Sequence, residues 1–167
     1  MRLRELEEDD CTRMLEWMHD PSIVEKLRTN FTDKTEKDCR AFINKSRNDR
    51  KHSIHLAIVS NENLYMGTVS LKNITDTSGE FAIVLHRDAI GKGYAFYGMK
   101  EVLKIGFDEL CLNYVYWCAA NDNIRALKFY DKHGFKRCDM NMIDFSSDYT
   151  SEEATGYIWY KATSIPG

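Results

Sequence analysis

The chain has 167 residues, 43% of them hydrophobic and 29% charged, with a formal net charge of -3 and a pI near 6.0. That balance fits one soluble globular domain with a sizeable core and disfavours a nucleic-acid binder working through a broad basic field. There is no apolar run of membrane-span length, the N-terminus turns acidic at once, and Cys11, Cys39, Cys111, Cys118 and Cys138 lack C-x-x-C spacing; this disfavours a membrane span, a signal peptide, a zinc site and a disulfide framework, and leaves reduced thiols in a cytoplasmic protein.

A first strand is expected over residues 1–6, around Leu3 and Leu6. Asp9 or Asp10 can then cap a helix carrying Met14, Leu15, Trp17 and Met18. Asp20-Pro21 ends it, because the residue before a proline avoids helical geometry. Thr35-Glu36-Lys37-Asp38 has the cap-then-acid pattern of a helix start, and that helix runs to about Ser46 with Cys39, Phe42 and Ile43 inward. After a basic stretch, Ile54 to Val59 reads as a strand and Leu64 to Leu71 as its hairpin partner across Ser60-Asn61-Glu62-Asn63. Thr75 to Gly79 is a second turn, and Phe81 to Leu85 is the next strand.

Residues 93–107 form the clearest helix, since Ala95, Met99, Val102, Leu103 and Gly106 recur at three- and four-residue spacing. Asn113 to Ala119 is a strand, and residues 123–133 are a helix stopped by Gly134. Phe135 to Phe145 and Thr155 to Lys161 are expected to pair as a final two strands around a loop from Ser146 to Glu153. The order β-α-α-β-β-β-α-β-α-β-β suggests a mixed sheet with some parallel pairing.

One junction carries chemistry. The strand ending at Leu85 runs through His86-Arg87-Asp88-Ala89 into Ile90-Gly91-Lys92-Gly93-Tyr94-Ala95, a glycine turn that opens a helix. Free backbone N–H groups and the positive end of a helix dipole then converge on one point, which suits phosphate. A dinucleotide fingerprint would need a third glycine and a doubly wound context. A P-loop would need Ser or Thr after Gly-Lys, where Gly93 stands. A diphosphate loop of the acyl-CoA type, cradling the anion with amides of Ile90, Gly91, Lys92, Gly93, Tyr94 and Ala95, is the third reading, beside a plain tight turn that needs glycine for its backbone angles.

The downstream helix adds weight. Asn123 and Tyr130 are seven residues apart, about two helical turns, so they share a face and can present an amide and a phenol to one groove. The same spacing also fits a helix cap at Asn123 and a core role for Tyr130.

The glycine turn, the pattern Asn123-x-x-Ala126-x-x-Phe129-Tyr130-x-x-x-Gly134-Phe135 and the order of elements resemble the GNAT N-acetyltransferases. The likeness is to the branch that acetylates ribosomal-protein N-termini and, in relatives, sugar nucleotides or polyamines. The opening Leu3-Arg4-x-Leu6-x-x-x-Asp10 and Leu15-Glu16-Trp17-Met18 resemble that branch too. The resemblance implies a single α+β domain over residues 1–167, with a mixed, mostly antiparallel sheet of about six or seven strands flanked by about four helices. It implies transfer of an acetyl group from acetyl-CoA, as co-substrate and without a metal, by direct attack of a primary amine. The acceptor would be a small molecule, an amino-sugar nucleotide or a peptide N-terminus. It allows a homodimer and implies neither a nucleic-acid nor a membrane partner.

In that reading the pantetheine lies between strands 81–86 and 113–119, and a backbone N–H near Leu85 or His86 donates to the oxyanion. Asn123 holds the pantetheine. Tyr130 is the general acid, because a phenol stays protonated at neutral pH and can protonate a leaving thiolate. Glu80, where many relatives keep a glutamate, is the candidate base through water, with His86 on the same strand face as an alternative. Asp88 departs from the family, which prefers Gln or Arg three residues before the first glycine; the amides should still hold the diphosphate. Trp17, residues 27–34 and the 144–153 loop are expected to meet the acceptor. Asp144, Asp148, Glu152 and Glu153 either attract a cationic amine or solvate a hairpin. The competing class is a non-catalytic acyl-CoA-binding or interaction module of the same fold.

Overall fold

A computed structural model describes residues 1–145 and 148–167. Its strands are β1 (Arg2–Glu5), β2 (Ile54–Val59), β3 (Tyr65–Lys72), β4 (Ser78–Leu85), β5 (Tyr114–Ala120), β6 (Arg137–Cys138) and β7 (Tyr157–Ala162). They form one sheet in the order β1-β2-β3-β4-β5-β7-β6. Every pairing is antiparallel except β4 with β5. The helices are α1 (Cys11–Met18), α2 (Pro21–Val24), α3 (Glu36–Asn48), α4 (Tyr94–Lys104), α5 (Ile124–Lys132) and α6 (Ser151–Thr155).

Local signals explain most boundaries. Thr35 and Asp38 form a reciprocal capping box at the start of α3. Asp20 accepts from the Ser22 N–H, with Pro21 at the first helical position, so Asp20-Pro21 both closes α1 and opens α2. Gly134, at φ +81°, takes the left-handed geometry that stops α5. α4 continues into a π-helical turn over Ile105–Glu109.

Strand alternation sends side chains to two faces. Ile58, Val69, Leu71, Phe81, Trp117 and Tyr160 pack under α4 and α5 on one face. Leu6, Met14, Trp17, Ile43, Val59 and Tyr65 pack with α1 and α3 on the other. Trp117 sits at the centre of an aromatic cluster, stacked on Tyr160 with centroids 5.6 Å apart.

Two expectations are corrected. The 135–145 strand shrinks to the two residues of β6, because the Asp139 side chain accepts from Asn141 N–H and winds Met140–Met142 into a 3-10 turn. The loop before β7 carries α6, started by a Thr150/Glu153 capping box; residues 146 and 147 lie outside the described residues. α2 and α6, the two shortest helices, raise the helix number above the four expected.

The feature that positions the site is the brevity of the β4–β5 pairing. It has three rungs, Ser78↔Tyr114, Gly79↔Val115 and Glu80↔Tyr116. Beyond Glu80 the two strands part. β4 itself records the change: Ser78–Phe81 are buried and Ala82–Leu85 are half-exposed.

Candidate active site

The parting of β4 from β5 leaves backbone donors without a strand to meet. His86 N–H donates to the Met66 carbonyl at 2.8 Å, and β3 and β4 pair in register from Lys72↔Glu80 to Gly67↔Leu85. In an antiparallel ladder the bonded residues alternate. Glu80, Ala82, Val84 and His86 therefore point their N–H groups at β3, and Ile83 and Leu85 point theirs into the opening. This separates the two oxyanion candidates. Leu85 is oriented for the role, joined by Ile83, and His86 is not, because its N–H belongs to the sheet.

The His86 side chain is also committed. It is buried, its Nδ1 receives the Asp88 N–H at 3.1 Å and lies 2.9 Å from Arg13 Nη2, and its Nε2 lies 2.6 Å from Glu16 Oε2. Two donors at Nδ1 place the ring proton on Nε2, where it is given to Glu16. No lone pair remains for an amine. His86 and Glu80 share a strand face as expected, but six strand residues put them about 20 Å apart, too far to serve one amine.

The glycine turn follows. Gly91 and Gly93 have φ of +76° and +86°, and a Cβ at either would meet nothing within 4 Å. The turn is thus open on its outer side. Ile90 and Lys92 spend their N–H groups on the Arg87 and Ala89 carbonyls at 3.3 Å, so they drop out of the expected cradle. Gly91, Gly93, Tyr94 and Ala95 N–H have no acceptor among the described residues, and the last three stand at the start of α4, where the dipole is positive. This donor set fits a diphosphate. Asp88 does not spoil it: Arg13 Nη2 binds its Oδ2 at 3.0 Å, and that hydrogen bond holds the Asp88 carboxyl below its usual range.

Tyr130 stands on α5, and Asn123 is the residue that caps its start. Asn123 Oδ1 caps the helix by accepting the Ala126 N–H at 3.3 Å, and its Nδ2 donors have no partner among the described residues. The cap role and the pantetheine role are therefore compatible. The Tyr130 ring is core, against Trp117, Phe135 and Tyr160. Burial pushes its phenol pKa up, and no hydrogen-bond partner for its hydroxyl occurs among the described residues.

At the other end of the opening stands Glu80, on the last β4–β5 rung. It is not a solvated turn residue; it is 3% exposed. Asn73 Nδ2 donates to Oε2 at 2.7 Å, the Tyr149 hydroxyl donates to Oε1 at 2.7 Å, and Lys72 Nζ stands 3.8 Å away. Neither Asn73 nor Tyr149 was visible as a site residue in the sequence. Asn73 had one signal, an asparagine in a turn.

Of the parts expected to meet the acceptor, the 27–34 segment and the 144–153 loop converge here and Trp17 does not. Arg28 lies over the Tyr149 ring at 4.3 Å, and its guanidinium binds Glu153 at 3.4 Å and donates to the Asp148 carbonyl. Lys26 pairs with Asp122 at 2.7 Å. Glu153 is thus engaged within the chain. Trp17 is buried, with its indole N–H on the Tyr65 hydroxyl at 3.0 Å. It contributes to the wall of a cleft of about 650 Å³ shared with Glu16, Asp20, His86 and Arg87. Arg47 and Arg50, in the basic run, face Glu5.

Among the described residues no group of three or more His, Cys, Asp or Glu could hold a metal ion, and no helix is long and apolar enough to cross a membrane.

Comparison with known proteins bears on this arrangement. The acetyltransferase (GNAT) domain model matches residues 1–136. The chain is 28% identical over 131 residues to acetyltransferase PseH of Campylobacter jejuni, covering 78% of this chain and 80% of that protein. It is 24% identical over 135 residues to the uncharacterized N-acetyltransferase YnaD of Bacillus subtilis, covering 81% and 78%. The fold superposes with a TM-score of 0.75 on spermidine N-acetyltransferase from Vibrio cholerae, solved with CoA and spermine, at 20% identity over 96% of this chain and 92% of that one.

Proposed function

This chain belongs to the GNAT acetyltransferase family and is an acyltransferase that moves an acetyl group from acetyl-CoA to an amine; we propose that its acceptor is a primary amine and that the reaction runs across the opening between β4 and β5. The observation that carries the assignment of residues is the divergence past the Glu80–Tyr116 rung, which turns the Ile83 and Leu85 N–H groups inward.

In this reading the open N–H groups of Gly91, Gly93, Tyr94 and Ala95 hold the coenzyme diphosphate, and the Asn123 amide holds the pantetheine. Leu85 N–H, with Ile83 beside it, stabilises negative charge developing on the thioester oxygen. The amine nitrogen attacks the carbonyl carbon, a C–N bond forms and the C–S bond breaks. Tyr130 gives its proton to the departing thiolate. Burial keeps the phenol protonated at neutral pH, so the proton is in place when the thiolate forms, and it also makes the phenol a weaker acid than a free one. Glu80, a buried carboxylate at the inner end of the opening, takes the amine's proton through water.

Acceptors of three kinds fit this chemistry: a small-molecule amine such as a polyamine, an amino-sugar nucleotide, and a peptide N-terminus. The test is thermal stability with acetyl-CoA, CoA, ATP and NAD added separately. A ligand that binds only the folded state at a hundred times its Kd adds about 2.7 kcal/mol. Acetyl-CoA and CoA should raise the midpoint and ATP and NAD should not. A thiol-release assay over the three amine classes then identifies the acceptor. No shift with either coenzyme form at millimolar concentration would overturn the assignment.

A further inference from the structure

We propose that Tyr149 and Asn73 are positioning residues that hold the Glu80 carboxylate in one orientation for the acceptor amine; the inference rests on the reading of Glu80 as the base.

The two donors come from separate parts of the chain and take one oxygen each. Asn73 Nδ2 reaches Oε2 and the Tyr149 hydroxyl reaches Oε1, both at 2.7 Å. A carboxylate with one donor on each oxygen cannot rotate without breaking a bond, and it keeps further lone pairs for an incoming N–H or water. Both donors are neutral, and the cation beside them, Lys72 Nζ, stands 3.8 Å from Oε1, beyond hydrogen-bond distance.

Each donor is itself held. Asn73 sits in the turn between β3 and β4 at φ +48°, a left-handed conformation that asparagine tolerates better than most residues. The Tyr149 ring is enclosed by Trp159, Phe145 and Tyr157, with the Arg28 guanidinium on its face. Cys118 Sγ donates to the Tyr149 oxygen at 3.6 Å, which directs the phenol's own hydrogen to Glu80. Burial raises the Tyr149 pKa and keeps it a neutral donor. A rigid second layer of this kind fixes the reacting group's geometry.

Asn73→Gly removes the amide and keeps a residue that accepts positive φ. Tyr149→Phe removes only the hydroxyl and leaves the ring in its aromatic enclosure. Each should lower kcat about tenfold, as expected for a misplaced reacting group, with the KM for acetyl-CoA and the thermal midpoint close to wild type. A residue acting through Glu80 should have no further effect once Glu80 is disabled, so in the Glu80→Gln background neither change should lower kcat again. Wild-type kcat in both single variants, or full additive losses in the Glu80→Gln background, would overturn the positioning role while leaving Glu80 as the base. Unchanged kcat in Glu80→Gln alone would overturn the base assignment, and the positioning role with it.

Discussion

At Ser78–Phe81, β4 is buried and meets β5 through Ser78, Gly79 and Glu80, with Glu80 paired on both edges; at Ala82–Leu85 it is half-exposed and has β3 on one edge alone. The buried half is Ser-Gly-Glu-Phe and the half-exposed half is Ala-Ile-Val-Leu, the reverse of what polarity alone would place. What decides burial is whether β5 is beside them. The zipped half can enclose a charged residue, Glu80, because neighbouring elements supply its donors. The open half can enclose nothing, and offers backbone N–H groups and a glycine turn instead. The proposed site spans the two, with the proposed proton acceptor in the closed half and the proposed thioester and diphosphate donors in the open half.

Removing the proposed acid should have the largest effect. Tyr130→Phe is expected to lower kcat about a hundredfold, in the range general acids supply, with acetyl-CoA affinity by calorimetry within about twofold of wild type, because the proposed coenzyme contacts are backbone groups and Asn123. Near-normal turnover would leave the opening as a binding groove, as in a non-catalytic module. Next is the open end itself. Gly93→Ala has room for its methyl group, so its cost is the left-handed backbone, about 1–2 kcal/mol. If those N–H groups hold the diphosphate, the KM for acetyl-CoA rises about tenfold, the equivalent of that strain; an unchanged KM would remove the glycine turn from the coenzyme site.

The β2–β3 sheet beside the opening can be probed through pH. His55, on β2, lies against Ser70 of β3, and burial with the charges of Lys72 and Lys45 pushes its pKa down to about 4. The unfolded chain takes up this proton near pH 6.5 and the folded chain near 4. Stability is therefore highest above 6.5, falls as pH drops between the two values, and loses at most about 3 kcal/mol. His55→Gln should flatten the thermal midpoint over that window; an equally steep decline would assign the loss to other groups. The smallest effect should come from the departure at Asp88. Its charge is already paired with Arg13, and exposed pairs contribute little, so Asp88→Asn should lower the KM for acetyl-CoA by about threefold or less. A tenfold rise would instead make Asp88 a required coenzyme contact.

The glycine turn, the α5 pair and the seven-strand order were legible because each rests on local rules: positive φ needs glycine, helical spacing brings residues seven apart to one face, and alternation marks strands. The end of the chain was less legible. The 135–145 run looks like a strand, but the Asp139 side chain diverts it into a 3-10 turn, a local hydrogen bond that competes with the ladder. Within the site, Leu85 and His86 are indistinguishable by sequence. Their difference is one of parity in the β3–β4 register, which depends on where the hairpin pairs.

Sequence alone determined that this chain builds a mixed sheet with a glycine turn opening a helix, and which residue types could bind an anion or move a proton. Tertiary structure decided which of them can act. Asn73 and Tyr149, seventy-six positions apart by their numbers, meet on Glu80 only because the β3–β4 turn and the segment before β7 pack at the same edge of the β4–β5 junction. His86 was withdrawn by Arg13, Glu16 and Met66, and Asp88 was neutralised by Arg13. Hydrogen bonds between residues far apart in the chain carry no periodic signal. They exist because a buried polar group must find a partner, and which partner it finds is set by the packing.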